Sequence, residues 1–258
     1  MKPLLIILPS RGRPDKIKKC LDSILYTCEG DFSEVSVQLD SNDKFIKEYK
    51  VLLDGYDKNK VTYNISRRPS EKRYCITRII NRKFYNDKQR QFYCVINDDM
   101  IFETCGWDKT LAIEWAISTC KEPNMIAKHG SHVGNTPVEG FPIISVIDGR
   151  ICRTLDWLQM PELDGCCGDN AWFWIGLQAK NLIYNPNVVF YHNHQALDKA
   201  DMDDTYLPVY GDNNAGAMED YRKFIDWAKY RSSKQIKIVR DLIEENIGIK
   251  NTEELCQI

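Results

Sequence analysis

The sequence predicts an α/β fold built on a mixed, mainly parallel central sheet flanked by helices, with a helical extension at the C-terminal end. Three observations carry this. Leu4-Leu5-Ile6-Ile7-Leu8 is a continuous apolar run, the pattern of a strand covered on both faces. It leads through a short polar loop into a helix opened by Pro14, and the strand-then-helix order repeats down the chain. A length of 258 residues, 43% hydrophobic and 28% charged, suits one large α/β domain or a domain with an appendage, with enough core to need no staples.

The first strand ends in Pro9-Ser10-Arg11-Gly12-Arg13, whose hydroxyl and guanidinium groups suit a base, ribose or phosphate, or simply a solvated loop. Ile17, Leu21, Ile24 and Leu25 mark the inward face of the helix that follows. Val35 to Asp40 alternates as a second strand and ends in acid. Asp43 is expected to cap the next helix, which runs through Ile46, Tyr49, Leu52 and Leu53. Val61 to Ile65 makes a third strand, broken at Arg67-Arg68-Pro69. A helix then starts over Ser70 to Arg73, with Ile76, Ile79, Ile80 and Phe84 inward. Arg67 to Arg90 holds nine basic residues against two acidic ones, either a solvated helix face or a surface that neutralises phosphate.

Phe92-Tyr93-Cys94-Val95-Ile96 is a β-forming run that drives into Asn97-Asp98-Asp99 and resumes at Met100-Ile101-Phe102. Two readings are open for the acids. They form a turn or helix cap, or they hold a hard divalent cation at a strand's carboxyl end, where open α/β sheets bind ligands. Trp107 to Cys120 follows as an amphipathic helix and Asn124 to Ala127 as a short strand. Lys128 to Pro142 reads as an irregular loop with His129 and His132, and Ile143 to Cys152 as a hairpin turning at Asp148-Gly149.

Gly165-Cys166-Cys167-Gly168 places a turn directly before a helix with Asp169 in its first turn. That acid either complements the helix dipole or acts as a general base. Asn187 to Tyr191 is a further strand ending in His192-Asn193-His194, a structural or metal-binding pair of histidines. Asp198 to Asp226 is acidic and reads as a loop with a short helix, a lid in form. Tyr221 to Ile247 is helical and basic in its middle.

The net charge of −2 gives no global pull toward nucleic acid. Ten cysteines show no Cys-x-x-Cys pair and no disulfide framework, and the vicinal Cys166-Cys167 is expected to be reduced and structural. Leu4 to Leu8 is too short for a signal segment and no run reaches spanning length. A cytoplasmic setting without membrane insertion is expected.

Together these stretches resemble the inverting glycosyltransferases of family 2, over roughly residues 4 to 194. Pro9 to Pro14 looks like their first nucleotide-contacting loop, and Leu39-Asp40-Ser41-Asn42-Asp43 like the second-strand motif whose first Asp contacts the base. Asn81 stands where the family often has Asn. Ile96-Asn97-Asp98-Asp99 is similar to the DXD motif, with Asn in place of its first acid. Gly168-Asp169-Asn170, a helix, and Pro186 to His192 resemble the family's "GED, helix, P-x-x-x-x-x-H" ending.

The resemblance implies a GT-A, Rossmann-like domain over residues 1–197, with an acidic loop and C-terminal helices packed on it over 198–258. It implies a nucleoside-diphosphate sugar as donor, a uridine one above all. Pro9, Ser10, Arg11, Arg13, Asp40, Arg73, Asn97 and Asp98 would contact the donor. Asp99 and His192 would hold Mn²⁺ or Mg²⁺. Asp169 would be the base, with Asp164 its alternative, because Asn170 replaces the family's second acid. The acceptor is left open: DNA carrying a modified base is one candidate, and glycan, lipid-linked or protein acceptors are the others. A nucleotidyltransferase is the rival enzyme, although no glycine-rich phosphate loop follows the first strand. A binding protein that has lost the base is the rival of another class.

Overall fold

The apolar run near the N-terminus forms β1 (Leu4–Ser10), with all seven residues buried. Because successive side chains in a strand point to opposite faces, β1 feeds two cores. Leu4, Ile6 and Leu8 join one cluster, and Leu5 and Ile7 join the other. The computed structural model describes residues 2–67, 76–118, 125–128, 132–133, 136–137, 144–185, 187–193 and 207–254. Arg73, His129, His194, Asp201, Asp203 and Asp204 lie outside these.

After β1 come α1 (Pro14–Thr27), β2 (Ser33–Asp40), α2 (Ile46–Asp54), β3 (Val61–Ser66), α3 (Ile76–Asn86) and β4 (Phe92–Val95). The middle of the chain supplies β5 (Met100–Phe102), α4 (Trp107–Ser118), β6 (Met125–Lys128), β7 (His132–Val133), β8 (Thr136–Pro137) and β9 (Ile144–Asp148). The rest is α5 (Gly149–Leu155), α6 (Gly168–Ala179), β10 (Leu182–Asn185), β11 (Phe190–His192), α7 (Leu207–Tyr230) and α8 (Ser232–Glu254).

A seven-stranded sheet runs β10-β6-β9-β4-β1-β2-β3. Only β9 is antiparallel to its neighbours, so the sheet is mixed and mainly parallel, as the sequence predicts. One face packs on α1 and α2 through Ile17, Leu21, Ile24, Tyr49 and Leu53. The other packs on α3, α5, α6, α7 and α8 through Phe84, Ile151, Trp172, Trp227 and Val239. From β1 the chain builds outward through β2 and β3 on one side, then crosses to β4 on the other. The carboxyl ends of β1 and β4 therefore meet at the switch point, where a crevice opens in such sheets.

A second sheet, β5-β11-β7-β8, lies against that end. Its β5 and β11 pair antiparallel, with His192 opposite Met100 and Phe190 opposite Phe102. Phe102 meets Phe190 edge-on at 4.3 Å between ring centroids and Trp107 at 5.0 Å. This aromatic trio fixes the register, and a one-residue slip would turn His192 to the other face.

The hairpin expected at Ile143 to Cys152 does not form. Asp148 ends β9 and caps α5, its carboxylate accepting from the Arg150 N–H. Gly149 is needed for close packing, since a Cβ there would sit 2.3 Å from the Arg90 carbonyl oxygen. Asp43 does not cap α2. It lies two residues ahead of the cap position and accepts from the Phe45 and Gly12 N–H groups at 2.9 and 2.7 Å, tying the first loop to α2. The acidic loop is not a loop from Leu207 onward, because that part belongs to the long helix α7. Packing of Phe224 and Trp227 into the core overrides the weak helical propensity of its glycines and asparagines. Asn214 keeps a trace of that weakness in a φ of +63°.

Phe190→Ala is expected to cost about 3–5 kcal/mol in urea denaturation. A loss below about 1 kcal/mol would show that the ring does not hold the β5–β11 pair.

Candidate active site

Two acids lie buried at the exit of β4, and the loop after β1 closes over them. Asp98 and Asp99 are 4% and 5% exposed. Burying paired carboxylates requires a counter-charge. Arg13, also buried, brings its Nη1 to 3.0 Å from Asp98 Oδ1 and 3.8 Å from Asp99 Oδ2. Ser10 Oγ donates to Asp98 Oδ2 at 2.6 Å. The Ser10 hydroxyl and the Tyr49 hydroxyl are 2.8 Å apart, and Tyr49 accepts from the Arg13 N–H at 2.7 Å. With the Ser10 proton committed to Asp98, the Tyr49 proton points to Ser10. Burial pushes the Asp98 carboxyl above its usual range, Arg13 opposes this, and the charge of Asp99 adds to it.

Asp99 faces the second sheet. The β5–β11 register sets His192 beside it, with His192 Nε2 at 3.2 Å from Asp99 Oδ1, and the Asn193 N–H donates to the Asp99 carbonyl at 3.0 Å. The carboxylate oxygen is a donor that suits Mn²⁺ and Mg²⁺, and the imidazole nitrogen is one that first-row divalent metals take. Among the described residues no group of three or more His, Cys, Asp or Glu side chains is arranged to hold a metal. Two protein donors fit a cation that keeps its other positions for water and substrate phosphates, the usual habit of Mg²⁺ at phosphate sites.

Asp169 stands in the first turn of α6, half-buried, with the Asn170 N–H donating to its Oδ1 at 2.9 Å. Burial raises its carboxyl to about 6, against that hydrogen bond. Asp164 is turned elsewhere, paired to Lys223 Nζ of α7 at 2.8 Å. On the β2 side, Arg11 Nη1 lies 2.8 Å from Asp40 Oδ2 and donates to Asn42 Oδ1 at 2.8 Å. Pro9 is buried in β1 opposite Gln38. Asn97 is exposed, and its carbonyl closes the turn to the Met100 N–H. Arg73 lies outside the described residues.

The structure thus gathers Ser10, Arg13, Asp98, Asp99 and His192, sets Asp169 in electrostatic range of His192, and places Arg11 with Asp40 at the neighbouring strand end. Among the described residues of the basic strip, three are engaged elsewhere. Arg90 is buried and pairs with Glu34 and Asp87, Lys83 pairs with Asp87, and Lys88 with Asp156.

Tyr49 and Tyr210 are residues that the sequence did not single out for the site. The Tyr210 hydroxyl is hydrogen-bonded to Cys166, and the charges of Asp169 and Asp99 both act on it, so α7 reaches the site. Tyr49 carried a readable signal, a hydroxyl on the otherwise apolar inner face of α2. Tyr210 carried none, because the helix that presents it was read as a loop.

No family model matches the sequence, and no curated protein matches it. Solved structures do match. S. aureus TarS covers 91% of this chain at TM-score 0.56 and 12% identity, and this chain spans 44% of that one. TarS 1–349 in complex with UDP-GlcNAc covers 90% of this chain and 74% of its own, at TM-score 0.55 and 12% identity. The mannosyltransferase PcManGT from Pyrobaculum calidifontis, in complex with GDP-Man and Mn²⁺, covers 93% of this chain and 73% of its own, at TM-score 0.55 and 8% identity.

This chain has the GT-A fold. In GT-A terms the acid pair ends the fourth strand, beside the first, and His192 arrives from the small second sheet. At 8–12% identity the likeness is one of fold.

The raised carboxyl of Asp169 has a stability signature. It titrates at about 6 when folded and near ~3.9 when unfolded, so the folded chain holds the proton more tightly. Stability is lost as pH rises through that window and stays lost above it. Without metal or nucleotide, Asp169→Asn is expected to be about 2 kcal/mol more stable than the parent at pH 8, the gap closing toward pH 5. Urea denaturation at both pH values measures this, and equal gaps would contradict the assigned burial.

Proposed function

We propose that the chain transfers a glycosyl group from a nucleoside-diphosphate sugar, a uridine one above all, to an acceptor hydroxyl with inversion. The observation that carries this is Asp99 and His192 facing each other at 3.2 Å at the carboxyl end of β4 in a GT-A fold, with Arg13 taking up the charge of Asp98. The fold likeness to structures holding UDP-GlcNAc and GDP-Man with Mn²⁺ supports it. Residues 1–197 are read as the transferase domain and 198–258 as its extension, in a reducing, cytoplasmic setting. Among the described residues no cysteine is in a disulfide and no helix is long and apolar enough to cross a membrane.

In this reading Asp40 and Arg11 receive the base at the end of β2. Pro9, Ser10, Asn97 and Asp98 border the ribose. Arg13 and Arg73 add positive charge on the phosphate side. Asp99 and His192 would hold Mn²⁺ or Mg²⁺, whose chemistry when bound is Lewis-acid stabilisation of the departing diphosphate. Asp169 takes the proton of the acceptor hydroxyl as that oxygen attacks the anomeric carbon from the face opposite the leaving group. A carboxyl raised to about 6 is ionised at neutral pH and more basic than an ordinary aspartate, which suits a base. Asp164, paired to Lys223, is less available.

The acceptor is read as DNA or a glycan. Lys83, Lys88 and Arg90 are spent in ion pairs, and among the described residues of the strip Arg67, Arg78 and Arg82 are exposed. Salt-sensitive binding of duplex DNA separates the two.

Turnover of nucleotide sugars with Mn²⁺ is the test. Asp99→Ala is expected to lose about 10²–10³-fold in kcat and Asp169→Asn about 10²–10⁴-fold. Full activity of the first variant removes the metal role, and full activity of the second removes the base.

A further inference from the structure

The turn that delivers Asp169 is held by a carboxylate from a different part of the chain. Asp220 lies on the inner face of α7, 2% exposed, in line with Phe224 and Trp227 at helical spacing. An acid in such a row is costly unless it is fully hydrogen-bonded. Its carboxylate accepts from three consecutive backbone N–H groups: Asp164 at 3.0 and 3.1 Å, Gly165 at 2.9 Å and Cys166 at 2.8 Å. Lys223 Nζ, 3.3 Å away, bridges Asp220 back to the Asp164 side chain. Three successive N–H groups converging on one anion make a nest, the backbone arrangement that usually cradles a phosphate.

Here the nest is filled from within. It sits immediately before Cys167, whose φ of +62° swings the chain into α6, and Asp169 is the second residue of that helix. From the other side the Gln159 side chain packs so closely beneath Gly168 that a Cβ there would come within 1.8 Å of its Nε2. Asn81 in turn fixes the Gln159 backbone, donating to its carbonyl at 2.7 Å and accepting from its N–H at 2.8 Å. The turn is thus gripped on both sides, and the stronger, charged grip is that of Asp220.

We propose that Asp220 is a positioning residue for the transfer reaction, holding the 164–166 turn so that Asp169 stays aimed at the acceptor hydroxyl. This rests on the reading of Asp169 as the base. The nucleotide end of the site is built from Arg11 and Asp40, 2.8 Å apart at the end of β2, and donor binding is expected to be independent of Asp220.

Asp220→Ala and the near-isosteric Asp220→Asn, each checked for folding by thermal melting, are compared with the parent in two assays. Amide hydrogen exchange is expected to accelerate at 164–166 and to stay unchanged in β1 and α1. Steady-state transfer is expected to lose about 10–100-fold in kcat, the usual cost of removing an orienting partner. KM for the nucleotide sugar should hold within about twofold of the parent, and Asp220→Glu should recover part of the loss. Unchanged exchange at 164–166 overturns the clamp. Faster exchange there with unchanged kcat overturns the positioning role, as does an equal loss expressed in KM. Full activity of Asp169→Asn brings down the base reading instead, and the exchange result stands apart from it.

Discussion

Two adjacent carboxylates are buried at the end of β4, and one guanidinium makes that tolerable. Arg13 reaches both acids, at 3.0 and 3.8 Å. Removing one partner of a buried charge cluster costs about 3–5 kcal/mol, so the position of Arg13 is tightly specified. Much of the local structure follows from that need. Pro14 starts α1 directly after Arg13, Tyr49 accepts the Arg13 N–H, Asp43 accepts the Gly12 N–H, and Ser10 closes onto Asp98. The loop after β1 is held by these contacts before any substrate is considered. The arrangement also divides labour between the acids. Asp98 is engaged by Ser10 and Arg13, and Asp99 turns to His192.

The site is a joint between units that each have their own reason to exist. The large sheet supplies the acids, the small sheet supplies His192 through the β5–β11 register, and α6 supplies Asp169. Each is locked by contacts remote from the chemistry: an aromatic trio behind His192, and Gln159 and Asp220 behind Asp169. A catalytic geometry needs this kind of support, because small misplacements of reacting groups cost large factors in rate.

The parts of this that were legible in the sequence are those governed by short-range pattern. An uninterrupted apolar run announced β1 as a strand covered on both sides, and an apolar strand driving into Asp98-Asp99 announced an acid pair at a sheet's end. Asp148-Gly149 misled, because the same dipeptide serves a hairpin turn and a helix start. What decided between them was the Arg90 carbonyl, which is remote in sequence. The acidic stretch from Leu207 to Asp226 misled for a related reason. Its glycines, asparagines and acids resemble a loop, whereas Asp220, Phe224 and Trp227 fall on one helical face that packs inward, α7 lying against α6 and α8. An acid at a core position of an amphipathic row was the available signal. Its meaning appears only once the three N–H groups of the 164–166 turn are placed around it.

The central claim is that Asp99 and His192 form half of a cation site completed by a diphosphate. Calorimetric titration with UDP in Mn²⁺, and again with the metal removed by chelation, tests it most directly. The expected result is UDP binding that depends on Mn²⁺ and loses that dependence in His192→Ala. UDP binding of equal affinity with and without the metal would contradict the account.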